Sequence, residues 1–270
     1  CLSRVIGSHI DVSYLREKEH QLKEQNAELV AAEKIQKALL PKKAPVLQGL
    51  DLAGNMYPAE LTGGDLYDFI LQDDGYIDIV LGDVSGHGFS AALLMATTHA
   101  YVRALQAHNS DLCALVTKVH SALVRELEGE RYVTCLIARL SVPDRVVTFV
   151  NAGHVPGYVL DASGSTVAKL ESSTWGLGML PDITPKDSAP VPLNEGDLVL
   201  LMSDGLIEAT SPGGEEFGLD RVLETVRRHS REPAAEIIET LHQSVMEFTD
   251  LKRPKDDVTI VVLKLDHKTT

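Results

Sequence analysis

The stretch that most constrains this chain is Gly82-Asp83-Val84-Ser85-Gly86-His87-Gly88. It follows Ile77-Asp78-Ile79-Val80-Leu81, an alternating, β-branched run that predicts a strand. Three glycines in seven residues then force a tight turn, and Ser90-Ala91-Ala92-Leu93-Leu94-Met95-Ala96 predicts a helix beyond it. An aspartate placed where a buried strand stops is held rigidly, as a metal site requires. One such corner is equally an ordinary strand–turn–helix junction. The rest of the chain has to decide.

The same grammar recurs. Asp65 sits in Thr62-Gly63-Gly64-Asp65-Leu66-Tyr67-Asp68, and Asp204 stands between Leu198-Val199-Leu200-Leu201-Met202-Ser203 and Gly205. Asp256 and Asp257 immediately precede Val258-Thr259-Ile260-Val261-Val262. Any one of these is a natural turn cap, because Asp bonds its own backbone in turns. Together they are hard to explain as caps, since converging carboxylates repel unless a cation is shared among them. An oxygen-only donor set without His or Cys favours Mg²⁺ or Mn²⁺.

Composition narrows the class. The chain has 270 residues, a net charge of −14 and a pI near 5.1, with no basic block. That argues against nucleic acid and anionic membrane as partners. No apolar run approaches the roughly 20 residues of a membrane span, and no signal peptide is visible. Cys1, Cys113 and Cys135 share no metal-ligand spacing, which predicts a reducing, cytoplasmic location. The sequence does not begin with Met and reads as a piece of something longer.

In order, residues 1–13 read as a last strand ending at Asp11, a helix N-cap, and resemble the C-terminal end of a PAS sensor domain. Residues 14–43 read as a helical linker, helical from Tyr14 until Pro41 ends it. Within it Leu15, Leu22 and Leu29 recur every seven residues opposite Glu19, Asn26 and Glu33, a half-polar seam suited to a homodimeric coiled coil. The alternative is a solvated helix lying on its own domain. Pro41 to Gly49 reads as a linker, and residues 44–270 as one domain.

Strand patterns fall near 50–57, 67–71, 76–82, 132–140, 145–151, 155–160, 197–203 and 258–265. Helical patterns fall near 89–107, 111–128, 218–230 and 233–248. Strands clustered in sequence and joined by short turns argue for antiparallel sheets with helices grouped outside, an α+β class.

Residues 33–265 resemble the metal-dependent protein phosphatases of the 2C type (PPM), in the bacterial stage II sporulation E and RsbU-like branch. The matching pieces are Ile35-Gln36-Lys37-Ala38-Leu39-Leu40-Pro41, Gly63-Gly64-Asp65-Leu66-Tyr67-Asp68 and the Gly82–Gly88 turn. Asn151-Ala152-Gly153-His154, Ser203-Asp204-Gly205 and Asp256-Asp257-Val258-Thr259 follow in the family's order. The resemblance implies a two-layer antiparallel β-sandwich flanked by helices, with two Mn²⁺ or Mg²⁺ ions at one end. It makes Asp83 the carboxylate bridging both ions, Val84 a backbone-carbonyl ligand, and Asp65 a ligand or a holder of water. Asp204 and Asp256 would hold the ion on the other side, Asp256 being preferred to Asp257.

The resemblance further implies a serine/threonine phosphoprotein phosphatase. Its substrate would be a phosphorylated, STAS-type anti-sigma factor antagonist in a partner-switching pathway. Where the eukaryotic branch carries a leaving-group His, this chain has Ser85. The nearest histidine, His87, is the candidate acid, with a turn residue as the alternative. His154 is expected to shape its loop, and Trp175 to pack in the core or against a loop. The rival readings are a catalytically silent docking or dimerisation module, and a nuclease or phosphodiesterase, which the acidic chain disfavours.

Overall fold

The computed structural model describes residues 2–72, 75–106, 111–127 and 131–266, with side chains from Tyr14 onward save that of Gln25. The chain opens with helix α1 (Leu2–Leu39), followed by strands β1 (Leu50–Tyr57), β2 (Leu66–Leu71) and β3 (Tyr76–Val84). Helices α2 (Phe89–Gln106) and α3 (Leu112–Glu126) come next, then β4 (Val133–Ser141), β5 (Val146–Ala152), β6 (Gly157–Leu160) and β7 (Thr166–Leu170). After β8 (Val191–Pro192) and β9 (Leu198–Met202) come α4 (Asp204–Ile207), α5 (Gly218–His229), α6 (Ala234–Thr249) and β10 (Val258–Leu265).

The strands form two five-stranded sheets, ordered β1-β10-β9-β6-β7 and β2-β3-β4-β5-β8, with every strand pair antiparallel. Both faces of each sheet are covered, which is why the central strands read as nearly unbroken apolar runs. On β3, Ile77, Ile79 and Leu81 point into the core between the sheets, and Val80 points into the layer of α2 and α3. On β9 and β10, Val199, Leu201, Val261 and Leu263 fill the inter-sheet core, while Leu200, Met202, Ile260 and Val262 pack against α5 and α6. The period of two thus sorts one strand's residues between two cores and gives an αββα stack. This is the sandwich expected from the sequence.

Two contacts fasten helices to β2 and to the loop before it. Buried Asp68 of β2 accepts from Arg103 of α2 through Nε (2.5 Å) and Nη2 (2.7 Å), and lies 2.9 Å from Nε2 of His99. Gln36 of α1 is buried as well. It donates from Nε2 to the Gly63 carbonyl (2.6 Å) and accepts from the Gly63 N–H (3.1 Å).

Three expectations need correction. Residues 2–13 are not a strand but the first part of α1. The stretch holds β-branched Val5, Ile6 and Ile10, yet no proline interrupts the chain. Once a helix is nucleated, each added residue gains a hydrogen bond. Pro41–Gly49 is not a free linker, because Leu40, Ala44 and Leu47 pack on the inter-sheet core. Trp175 is 62 % exposed rather than packed. Its neighbours explain this: Thr174 bridges to Ala152, and Leu177 exchanges backbone hydrogen bonds with Val133, so the backbone is pinned while the indole points out.

Candidate metal centre

The strand-end aspartates come from both sheets and meet at one end of the sandwich. Asp83 lies at the end of β3, and Asp65 immediately precedes β2. Asp204 opens α4 directly after β9, and Asp256 and Asp257 lead into β10.

Glycines let these segments touch. A Cβ on Gly63 would lie 1.9 Å from Oδ2 of Asp257, and one on Gly205 would lie 2.2 Å from the Asp257 carbonyl oxygen. A Cβ on Gly64 would sit 2.9 Å from the Val84 carbonyl oxygen and 3.3 Å from Oδ1 of Asp83. Those two oxygens therefore face one point, kept open only because residue 64 has no side chain.

Asp257 is buried and turned inward. Its Oδ1 accepts from the Ala59 N–H (2.9 Å) and its Oδ2 from the Gly64 N–H (2.8 Å). Asp256, by contrast, is exposed and lines the cleft. Asp65 is buried and accepts from the Thr259 hydroxyl at 2.5 Å. Ser203 stitches the β9 end to β10 through its N–H to the Thr259 carbonyl and its hydroxyl to the Asp257 carbonyl.

The electrostatics are strained. Burial, and then the charges of Asp204, Asp256 and Asp257, push the Asp83 carboxyl up to about 7. Burial followed by Asp83 and Asp257 raises Asp65, and burial followed by Asp256 raises Asp204. Burial also raises Asp257, against the amides that hold it. None of these carboxylates is ion-paired to a described Lys or Arg.

Mutually repelling carboxylates, none ion-paired to a described Lys or Arg, form a donor set that fits hard divalent ions. Asp83, Asp256 and Asp257 line a cleft of about 250 Å³, whose wall also includes Glu60, Gly64, His87 and Lys255. Their oxygens do not collapse on one point. Among the described residues only Asp111, Cys113 and Asp187 bring three ligand atoms within 4.8 Å of one another. In that group Asp111 caps α3, and the Cys113 thiol, pushed up to about 12 by burial and Asp187, donates to Asp187.

The histidines divide by environment. His87 is at the rim, its side chain 89 % exposed and its Nδ1 4.0 Å from Glu60. His154 is buried, and that burial lowers its imidazole to about 4, so it is neutral. Its Nε2 lies 3.2 Å from the Met202 carbonyl, which can only accept, so Nε2 carries the proton and Nδ1 accepts from the Thr134 hydroxyl (2.8 Å). His154 thereby joins β4, which pairs with Asp83, to the strand leading into Asp204. Ser85 accepts at Oγ from the Tyr132 N–H, and its carbonyl accepts from Arg131. It anchors the turn.

Sequence reasoning gave no role to Gln36, Thr134, Ser203 or Thr259.

A family model described as stage II sporulation protein E matches residues 73–266. Phosphoserine phosphatase RsbU of Bacillus subtilis is 27 % identical over 240 residues, covering 88 % of this chain and 70 % of RsbU. Phosphoserine phosphatase RsbP of the same organism is 27 % identical over 242 residues, covering 87 % of this chain and 57 % of RsbP. Among solved structures, the SiaA-PP2C domain of Pseudomonas aeruginosa superposes with a TM-score of 0.80 at 24 % identity, covering 90 % of this chain and 98 % of that domain. The chain belongs to the stage II sporulation protein E family, the SpoIIE/RsbU-like branch of the metal-dependent PP2C-type protein phosphatases.

Proposed function

We propose that this chain hydrolyses phosphoserine or phosphothreonine on a protein, using two Mn²⁺ or Mg²⁺ ions held by Asp83, the Val84 carbonyl, Asp65, Asp204 and Asp256. The observation that carries the reading is the set of strand-end carboxylates that repel one another without an ion pair to a described Lys or Arg. Bound there, such ions supply a water acidified toward neutral pH and a clamp for phosphoryl charge, so no covalent nucleophile is required. The chain's own residues hold the geometry. Asp257 fixes the Gly63-Gly64 loop through two amide hydrogen bonds, and Gln36 fixes the same loop from the other side. We assign to His87, which lines the cleft, the transfer of a proton to the leaving oxygen.

The substrate we propose is a phosphorylated, STAS-type anti-sigma factor antagonist, consistent with the phosphoserine phosphatases RsbU and RsbP among its relatives. We place the enzyme in the cytoplasm; no described helix is long and apolar enough to cross a membrane. It would act as a homodimer through α1, which exposes Tyr14, Leu15 and Leu22. The test is turnover of p-nitrophenyl phosphate and of the phosphorylated antagonist with Mn²⁺, abolished by EDTA. Stoichiometric zinc that resists EDTA, or Mn²⁺ binding without turnover, would overturn the reading.

A further inference from the structure

The acidic cleft raises a question that its carboxylates do not answer. A phosphoserine brings a second set of negative charges to a site already rich in them. On the reading proposed above, the six carboxylates of Asp65, Asp83, Asp204, Asp256, Asp257 and Glu60 outnumber the positive charge that two divalent ions bring. Some protein cation is needed to hold the phosphate while it reacts.

Three basic side chains lie near the cleft. Arg131 sits behind the turn, where its Nη1 donates to the Ser85 carbonyl and its guanidinium faces Gly86. It is already engaged. His87 is at the rim beside Glu60. Lys255 is the only Lys or Arg among the described residues that line the cleft. It stands next to Asp256, yet it is ion-paired to no described carboxylate.

The surroundings of Lys255 keep it available. It also lines a second cavity of about 120 Å³, on the far side of Asp256, whose walls include Gly205, Glu208, Ala209 and Thr210. Lys255 thus borders two open spaces and is exposed. Its base is firm, with Pro254 before it and the amide-bound Asp257 two residues after it. A lysine ammonium is a compact point charge on a long stem, suited to phosphate oxygens that arrive at varied angles.

We propose that Lys255 is the substrate-contact residue that takes hold of the phosphate group of the phosphoprotein. The inference rests on the phosphatase reading but is separable from it.

The experiment compares the wild-type chain with Lys255→Met and Lys255→Arg, all loaded with Mn²⁺. Three quantities are read: KM and kcat for p-nitrophenyl phosphate, calorimetric binding of inorganic phosphate, and calorimetric binding of Mn²⁺. Losing one charge-assisted contact should weaken phosphate binding and raise KM by about tenfold in Lys255→Met, with Lys255→Arg restoring most of it. If Lys255 merely offsets nearby carboxylates, Lys255→Met will bind Mn²⁺ more tightly and phosphate as before, and the proposal is overturned. Absence of wild-type turnover would instead count against the phosphatase reading. The phosphate titration still decides the role of Lys255 in that case.

Discussion

Asp83 is costly to ionise in the metal-free chain, because it is buried among Asp204, Asp256 and Asp257. Its folded value of about 7 lies above its unfolded one, so the folded state holds a proton that the unfolded chain has lost. Stability of EDTA-treated protein should therefore fall as pH rises from about 4 to about 7, the sign set by which state binds more protons. Thermal melts across that range check this, and saturating Mn²⁺ should flatten the slope. A melting temperature that rises with pH over the same window in EDTA would contradict it. The same repulsion predicts the mutants. Asp83→Asn and Asp204→Asn each remove a charge but keep the side-chain size, so each should melt no lower than wild type without metal. Turnover should drop by at least about a hundredfold, since several kcal/mol of charge stabilisation go with the ions. Near-wild-type activity of either variant at saturating Mn²⁺ would refute the ligand assignment.

Helix α1 reaches the site through one side chain. Gln36 satisfies both the N–H and the carbonyl of Gly63, in the loop whose next residue leaves space for the Asp83 and Val84 oxygens. Gln36→Ala orphans both backbone groups and should destabilise the domain by about 1–3 kcal/mol. The more telling readout is the Mn²⁺ concentration for half activity, which should rise because the loop loses its outer support. A variant with lowered melting temperature but unchanged Mn²⁺ dependence would make Gln36 a packing residue only. Nothing local in the sequence announces this contact, which spans 27 positions. The longer strands were legible because alternation sorted their residues between two cores, as on β3 and β10. β7, β8 and α4 were not: β7 is largely exposed, β8 has two residues and α4 four, too few to show a period. The carboxylates were legible as strand ends beside glycine. The inward turn of Asp257 depends on amides of Ala59 and Gly64, almost two hundred positions away, and had no sequence signal.

At the scale of the whole molecule, α1 exposes large apolar side chains and also touches the site loop. Leu15 and Leu22 are 63 % and 62 % exposed, and Ile35, 67 % exposed, continues the apolar surface toward Phe89 and Leu93 of α2. A cavity of about 320 Å³ lies between α1 and α2, lined by Ala32, Ile35, Leu39, Phe89 and Leu93. An unbroken helix transmits rotation or a register shift, whereas a Gly/Ser linker would absorb it. From Leu15 to Gln36 no residue breaks α1, so on the proposed pairing a change at its N-terminal half would be passed to Gly63 at its other end. On the proposed pairing, the seam would oppose its leucines with Glu19, Asn26 and Glu33, weak enough for two registers to lie within a few kcal/mol of each other. Removing residues 1–30 should then lower the oligomeric state in light scattering and change specific activity on the phosphoprotein, with Gln36 and the domain left intact. A truncated chain that is monomeric yet as active as the full one would reduce α1 to a tether.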